Sequence, residues 1–527
     1  MSNKTKYVLL ALVLIIAAFF RFYHLTSTPP GLYMDEAMDG ANAQNVVQTG
    51  QYKVYYPEDN GREGLYINIL AIAFKYHILP DNAPWSVRFP AAVAGFLTVL
   101  GLYLMVSEFF KKKEGSPDSW LATHATTLAL LSAFLLAISF WHINFSRIGF
   151  RAIFAPFCMV WTSFLLLKLF RAKKTAHAWL LVIAAGVIYA AGFYTYIAFR
   201  ITPLLLLLFI PFFKKNKDFW KHMFLFLLVT FIVALPIGWY YLQHPADFFG
   251  RTSQISVASS GSPLATVAMN TVKTALMFNW QGDFNWRHNL SGAPQLWWPV
   301  GILFLIGLIF SIIAVIKTWK VSGKWQVASG RESQHDAAGE NQNGRYLLLA
   351  TCYLLLWFVI GSLPEILSND GIPHALRSLL MVVPAVVFAA MGGVWLYEKT
   401  VGRLARDWQM AIFAFLIAAA LSATYVTYFK TWAQNGNVPG SFNADYVAIG
   451  DKINALPPDW HKYVIVYAGG VTDYGIPMPA MPVMYITHSF VPNAAAQKLA
   501  NNIHYLLPNE LDQIPAGTPS STIFEIR

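Results

Sequence analysis

Apolar residues fall in long, nearly uncharged runs along the chain, parted by short polar segments. The runs cover residues 8–20, 89–106, 121–140, 150–169, 178–194, 201–213, 219–240, 297–316, 346–363, 378–396 and 411–428. A helix rises about 1.5 Å per residue and the bilayer hydrocarbon is about 30 Å thick, so runs near this length predict membrane-spanning helices, about eleven in all. Residues 65–78 are also apolar but short, and Asn68, Lys75 and His77 interrupt them. That pattern predicts a helix lying along the membrane surface. After residue 428 the pattern changes. A helical stretch at 445–456, strand-like stretches at 463–467, 483–487 and 522–526, and a second helical stretch at 494–501 predict a small α/β unit. The expected fold class is therefore an all-α polytopic membrane protein with a small C-terminal α/β domain. Its parts are a membrane domain over 1–428, with outside loops at 24–88, 241–295 and 364–377, and a tail domain over 429–527.

Composition agrees: 56% of the 527 residues are hydrophobic and the mean hydropathy is +0.45, where about 45–50% apolar is usual for soluble chains. The first run follows Lys4 and Lys6 like a signal peptide, but bulky Phe19-Phe20-Arg21-Phe22-Tyr23 stands where a small-residue cleavage site would be, predicting an uncleaved first span. With the N-terminus inside, the basic clusters all fall inside: Lys111 to Lys113; Arg171, Lys173 and Lys174; Lys214, Lys215, Lys217 and Lys221; residues 317–345; and Lys399, Arg403 and Arg406. The tail then lies on the extracytoplasmic side of the cell membrane. The net charge of +11 follows from these loops and does not indicate a nucleic-acid partner. Residues 321–344, rich in Ser, Gly, Gln, Asn and Glu, read as a flexible linker. Cys158 and Cys352 both lie within apolar runs and imply no disulfide framework. The chain shows no phosphate-binding glycine loop, dinucleotide fingerprint or cysteine–histidine metal spacing.

Only 12% of residues are charged, yet Asp35, Glu36, Asp39, Glu58, Asp59, Arg62 and Glu63 gather in the first outside loop. Asp35 can cap a helix after Pro29-Pro30-Gly31, with Glu36 in its first turn. Alternatively one of the two acids is a general base at the membrane surface, the other positioning substrate. Arg62 and Glu63 read either as a surface ion pair or as a phosphate-binding arginine beside an acid. Tyr55, Tyr56 and Tyr66 suit an interfacial aromatic belt. In the second loop, Asn279 to Leu290 interleaves amides and rings, a mixture that suits sugar recognition or an interfacial anchor, with Arg287 and His288 available to a phosphate. In the third, His374 and Arg377 stand three apart and can share a helix face. Arg147 and Arg151 sit in an outside turn, against the usual bias. Isolated outer cations of this kind fit an anionic lipid headgroup.

Taken in order, Asp35-Glu36, Asn60-Gly61-Arg62-Glu63-Gly64-Leu65, Phe145-Ser146-Arg147-Ile148-Gly149-Phe150-Arg151, Arg287-His288-Asn289 and Pro373-His374-Ala375-Leu376-Arg377 resemble bacterial members of the GT-C glycosyltransferase superfamily. The branch is that of the protein O-mannosyltransferases and lipid A aminoarabinose transferases, and the resemblance covers about residues 8–428. It implies a membrane helical fold with an outside catalytic cavity, a polyprenyl-phosphate-linked sugar as donor, membrane lipids around it, an acceptor hydroxyl on protein, lipid or glycan, and no metal or other cofactor. By position it implies Asp35 as general base and Glu36 as the second acid. It places Arg62 on the donor phosphate, with Glu63, Tyr66, Arg147, Arg287, His288, His374 and Arg377 as substrate-binding candidates. The lysine that aminoarabinose transferases carry near Arg62 is missing here. Two other readings stay open: a ligase or polymerase using a lipid diphosphate carrier, and a lipid or glycan transporter.

Overall fold

The computed structural model describes residues 2–111, 119–171, 177–210, 218–328 and 337–527. Among them eight helices are long and apolar enough to cross a membrane: Asn3–Phe22, Pro84–Phe110, Arg151–Leu169, Phe219–Gln243, Trp298–Lys317, Leu348–Ile366, Leu379–Arg403 and Arg406–Trp432. A ninth path is a pair, Ala125–Ile138 and Phe140–Arg147, bent by 57°. The runs at 178–194 and 201–213 give shorter apolar helices, Ala178–Gly192 and Ile197–Leu207. The chain is a membrane protein. The stretch read as a linker continues the helices on both sides, as far as Ala328 and from Ala337, and its middle lies outside the described residues. So do Lys112, Lys113, Lys173, Lys174, Lys214, Lys215 and Lys217.

The helix Val382–Lys399 runs through the centre, buried at nearly every residue up to Gly392. It lies against Trp298–Ala328 because Gly307 and Gly392 face each other; a Cβ on either would enter the backbone carbonyl of Phe388 or Leu303. Small residues permit this close backbone approach in lipid, where apolar burial alone does not drive helices together.

The 57° bend has a definite chemistry. The break at Ser139 frees carbonyls at the end of Ala125–Ile138, and because Leu136 and Ala137 are buried inside the protein, water offers them no donor. Arg21, fully buried, supplies it: its guanidinium donates to Leu136 O at 3.2 Å, Ala137 O at 3.1 Å, Ala17 O at 3.1 Å and His142 Nδ1 at 2.7 Å. An unsatisfied buried acceptor costs about 1–3 kcal/mol. Arg21→Leu is therefore expected to lower the thermal unfolding midpoint of the detergent-solubilised protein, with Arg21→Lys recovering part of the loss. A midpoint equal to wild type would show that the bend is held by other contacts.

The tail builds a four-stranded sheet in the order Leu499–Ala500, Ile503–Leu506, Lys462–Val466, Ile523–Ile526. The strand Lys462–Val466 is parallel to both its neighbours. The expected strand at 483–487 is instead the helix Met481–Ile486, with Pro482 in its first turn. All six of its residues are buried, and a uniformly apolar short run carries no period that separates helix from strand. The expected helix at 494–501 stops at Gln497 and turns into the edge strand. Ile503–Leu506, not expected as a strand, follows Asn501 and Asn502 at φ 52° and 57°, a turn conformation that asparagine tolerates.

The tail shares its core with the first loop. The helix Met481–Ile486 packs on Met34–Thr49, and Gln44 donates to Tyr485 O at 2.9 Å. Tyr474 donates to Glu58 Oε1 at 2.7 Å, and Asp473 accepts from Asp59 N at 2.8 Å. Loops 24–88, 241–295 and 364–377 and the tail thus meet at one end of the bundle.

Candidate active site

The helix Met34–Thr49 begins after Tyr33, so Asp35 lies inside its first turn and is not the cap residue, contrary to the capping reading of Asp35. Glu36 performs the capping, accepting from Tyr33 N at 3.0 Å. The rest of the Glu36 carboxylate is also taken: by Arg88 Nε at 2.9 Å, Arg88 Nη2 at 3.1 Å and Gly149 N at 2.7 Å. Glu36 is fully buried and holds three chain segments together. It positions Asp35; it has no open lone pair to offer a substrate.

Arg62 and Glu63 are not paired with each other. They occupy a two-residue strand opposite Tyr56 and Tyr55, so their side chains leave on opposite faces. The strand is set by Asp59, Asn60 and Gly61, with φ of 48°, 62° and 85°. Arg62 donates to Asp35 O at 3.0 Å and Asp39 Oδ1 at 3.1 Å, pairs with Asp59, and approaches Asp35 Oδ1 at 3.5 Å. Its charge is spent on three carboxylates. Burial raises the Asp39 carboxyl above its ordinary value, against the pull of Arg62. On the other face, Glu63 takes Arg151 and Arg200, each at 3.3 Å.

Other expected residues serve the scaffold. Tyr66 bonds Val87 O. Arg147 donates to Phe20 O at 3.1 Å and Thr28 O at 2.8 Å, under the rings of Tyr428 and Phe429. Arg377 holds its own loop through Ser368 Oγ at 2.5 Å and Asp370.

The second and third loops add Arg287, His288 and His374. Arg287 stacks on the Tyr33 ring at 3.7 Å, and Asn144 donates to its carbonyl at 2.6 Å. Burial pushes its guanidinium down to about 10. Among the described residues no carboxylate pairs with it. His288 bonds Asp283 Oδ2 through Nδ1 at 2.9 Å, and its ring lies 4.7 Å from that of His374. Burial lowers both imidazoles, with Asp283 opposing the shift at His288. Sequence reasoning passed over Arg88 and the role of Asp283. Arg88 belongs to no motif; its one signal is a cation near the N-terminal end of a span, Pro84–Phe110.

No protein-family model and no curated protein matches the sequence. Among solved structures, the oligosaccharyltransferase of Archaeoglobus fulgidus in its apo form is similar with a TM-score of 0.55 and 14% identity, over 92% of this chain and 64% of that one. ArnT from Cupriavidus metallidurans, bound to undecaprenyl phosphate, is similar with a TM-score of 0.51 and 10% identity, over 100% of this chain and 90% of that one. The chain has the GT-C fold. The archaeal oligosaccharyltransferase AglB from Archaeoglobus fulgidus, in complex with an inhibitory peptide and a dolichol-phosphate, gives 0.51 at 14% identity, over 92% of this chain and 63% of that one. This GT-C chain therefore spans just under two thirds of the length of the oligosaccharyltransferase it matches.

Proposed function

We propose that this GT-C protein is a membrane glycosyltransferase. It moves a sugar from a polyprenyl-phosphate carrier to an acceptor hydroxyl on the extracytoplasmic face of the cell membrane, with Asp35 as the base. One observation carries the reading. Within the acidic cluster, Glu36, Asp39 and Glu63 are nearly sealed, at 0%, 2% and 4% side-chain exposure, whereas Asp35 keeps 31%. It is the carboxylate that a substrate can reach.

The step is a single displacement. The acceptor oxygen gives its proton to Asp35 and bonds to the anomeric carbon. The bond from that carbon to the phosphate oxygen breaks, and its electrons leave with the polyprenyl phosphate. Negative charge grows on that phosphate, so a fixed cation there lowers the barrier. Arg62 cannot easily serve, because its guanidinium already faces Asp35, Asp39 and Asp59. Arg287, beside Tyr33 and without a carboxylate partner among the described residues, fits the role. One uncompensated arginine matches a monophosphate leaving group better than a diphosphate. That ArnT was seen with undecaprenyl phosphate supports the same donor class.

The test is release of polyprenyl phosphate from a panel of radiolabelled polyprenyl-phosphate sugars, with and without an envelope acceptor fraction. Acceptor-dependent release is expected, and Arg287→Gln is expected to slow it by about 10²–10³-fold, the cost of removing one donor to a developing anion. Release only from diphosphate donors would move the assignment to a glycan ligase. No release from any carrier by folded protein would refute the transferase reading.

A further inference from the structure

Asp283, His288 and His374 bring one ligand atom each to within 4.8 Å of one another, from two different loops. Their surroundings orient them. Asp283 Oδ1 accepts from Asn285 N at 2.7 Å, and Asp283 Oδ2 accepts from Ala375 N at 2.8 Å as well as bonding His288 Nδ1. The backbone of His374 donates to Glu365 Oε1 at 2.6 Å. Such outer hydrogen bonds are what fixes ligand rings and carboxylates around metals.

Two facts are unexplained by a hydrogen-bonded cluster alone. His374 Nδ1 is a buried polar atom with no hydrogen-bond partner among the described residues. Buried polar atoms are almost always satisfied, so it calls for a ligand. Moreover, no lysine or arginine pairs with the buried carboxylate of Asp283 among the described residues; its only ion-pair partner there is His288. A buried carboxylate without a cation is costly, and a dication would neutralise it.

We propose that Asp283, His288 and His374 form a binding site for a divalent transition metal of the zinc class. Two imidazoles and one carboxylate select zinc or cobalt over magnesium or calcium, which prefer all-oxygen sets. Three protein ligands leave one position open. On binding, the metal replaces the hydrogen bond between His288 Nδ1 and Asp283 Oδ2. It would clamp the second outside loop to the third and so fix Arg287 next to His288. The site is independent of the donor assignment, and its test needs no transferase assay.

The full-length protein in detergent is stripped with chelator, then titrated with Co²⁺ while its visible absorption is followed. One Co²⁺ per chain is expected, with visible bands displaced by Zn²⁺ and not by Mg²⁺. His374→Gln and Asp283→Asn are each expected to lose the stoichiometric bands while eluting as the same monodisperse species as wild type. Absence of saturable Co²⁺ or Zn²⁺ binding by wild type would overturn the site and leave a plain Asp–His hydrogen bond. Unchanged bands in folded His374→Gln would overturn the ligand set. Should a variant fail to fold, the wild-type titration still decides.

Discussion

Asp35→Asn is expected to give a folded protein whose transfer rate is lower by at least about 10²-fold, the smaller end of what a positioned base contributes. The two halves of that expectation rest on different contacts. Asp35 holds Arg62 chiefly through its backbone carbonyl, at 3.0 Å, and its side chain stands off at 3.5 Å. Asp39 and Asp59 keep Arg62 in place without it. Asparagine preserves the shape and the helix start, which Glu36 caps, but it cannot take a proton. The readout is initial-rate release of polyprenyl phosphate, alongside the thermal midpoint. A variant with the wild-type midpoint and near-wild-type rate would remove Asp35 from the chemistry. A large fall in midpoint would instead make it a scaffold acid like Asp39.

Arg88→Met is expected to be among the most damaging substitutions to stability. Glu36 and Arg88 are both essentially sealed, at 0% and 1% side-chain exposure. Removing the cation strands a carboxylate in the interior, and breaking a buried pair from one side costs about 3–5 kcal/mol. Arg88 also donates to Pro29 O at 2.5 Å and Gly31 O at 2.7 Å, so the loop leading to Asp35 loses its tether. Arg88→Met with Glu36→Leu should be milder than Arg88→Met alone, because no charge is then left behind. The measurement is the detergent midpoint of the three proteins. Equal midpoints for the single and double variants would mean that Glu36 is not stranded, and that the pair is not what holds the helix start.

The spans were legible in the sequence because their cause is local. A membrane-crossing helix needs about 20 apolar residues in a row, and among the described residues eight of the eleven runs are such helices, while 121–140 belongs to the bent pair and 178–194 and 201–213 give shorter ones. The density of acids and arginines in the first loop was legible for the same reason, since it stands out against a chain with 12% charged residues. The motif order pointed to the GT-C fold, and the tertiary structure has that fold.

What the tertiary structure alone decided is who faces whom. Asp35 and Glu36 are adjacent and chemically alike, yet one stays open and the other is sealed. The sealing comes from Arg88 and Gly149, which lie 52 and 113 residues away. Arg62 and Glu63 are neighbours in sequence and strangers in space, because a strand sends alternate side chains to opposite faces. Arg62 and Arg287 both read as phosphate candidates in the sequence, yet three carboxylates surround Arg62, while Arg287 has no carboxylate partner among the described residues. Spacing records the period of local structure. The partner of a buried charge is chosen by the need to satisfy it, and that need is met by whichever segment the fold brings within reach.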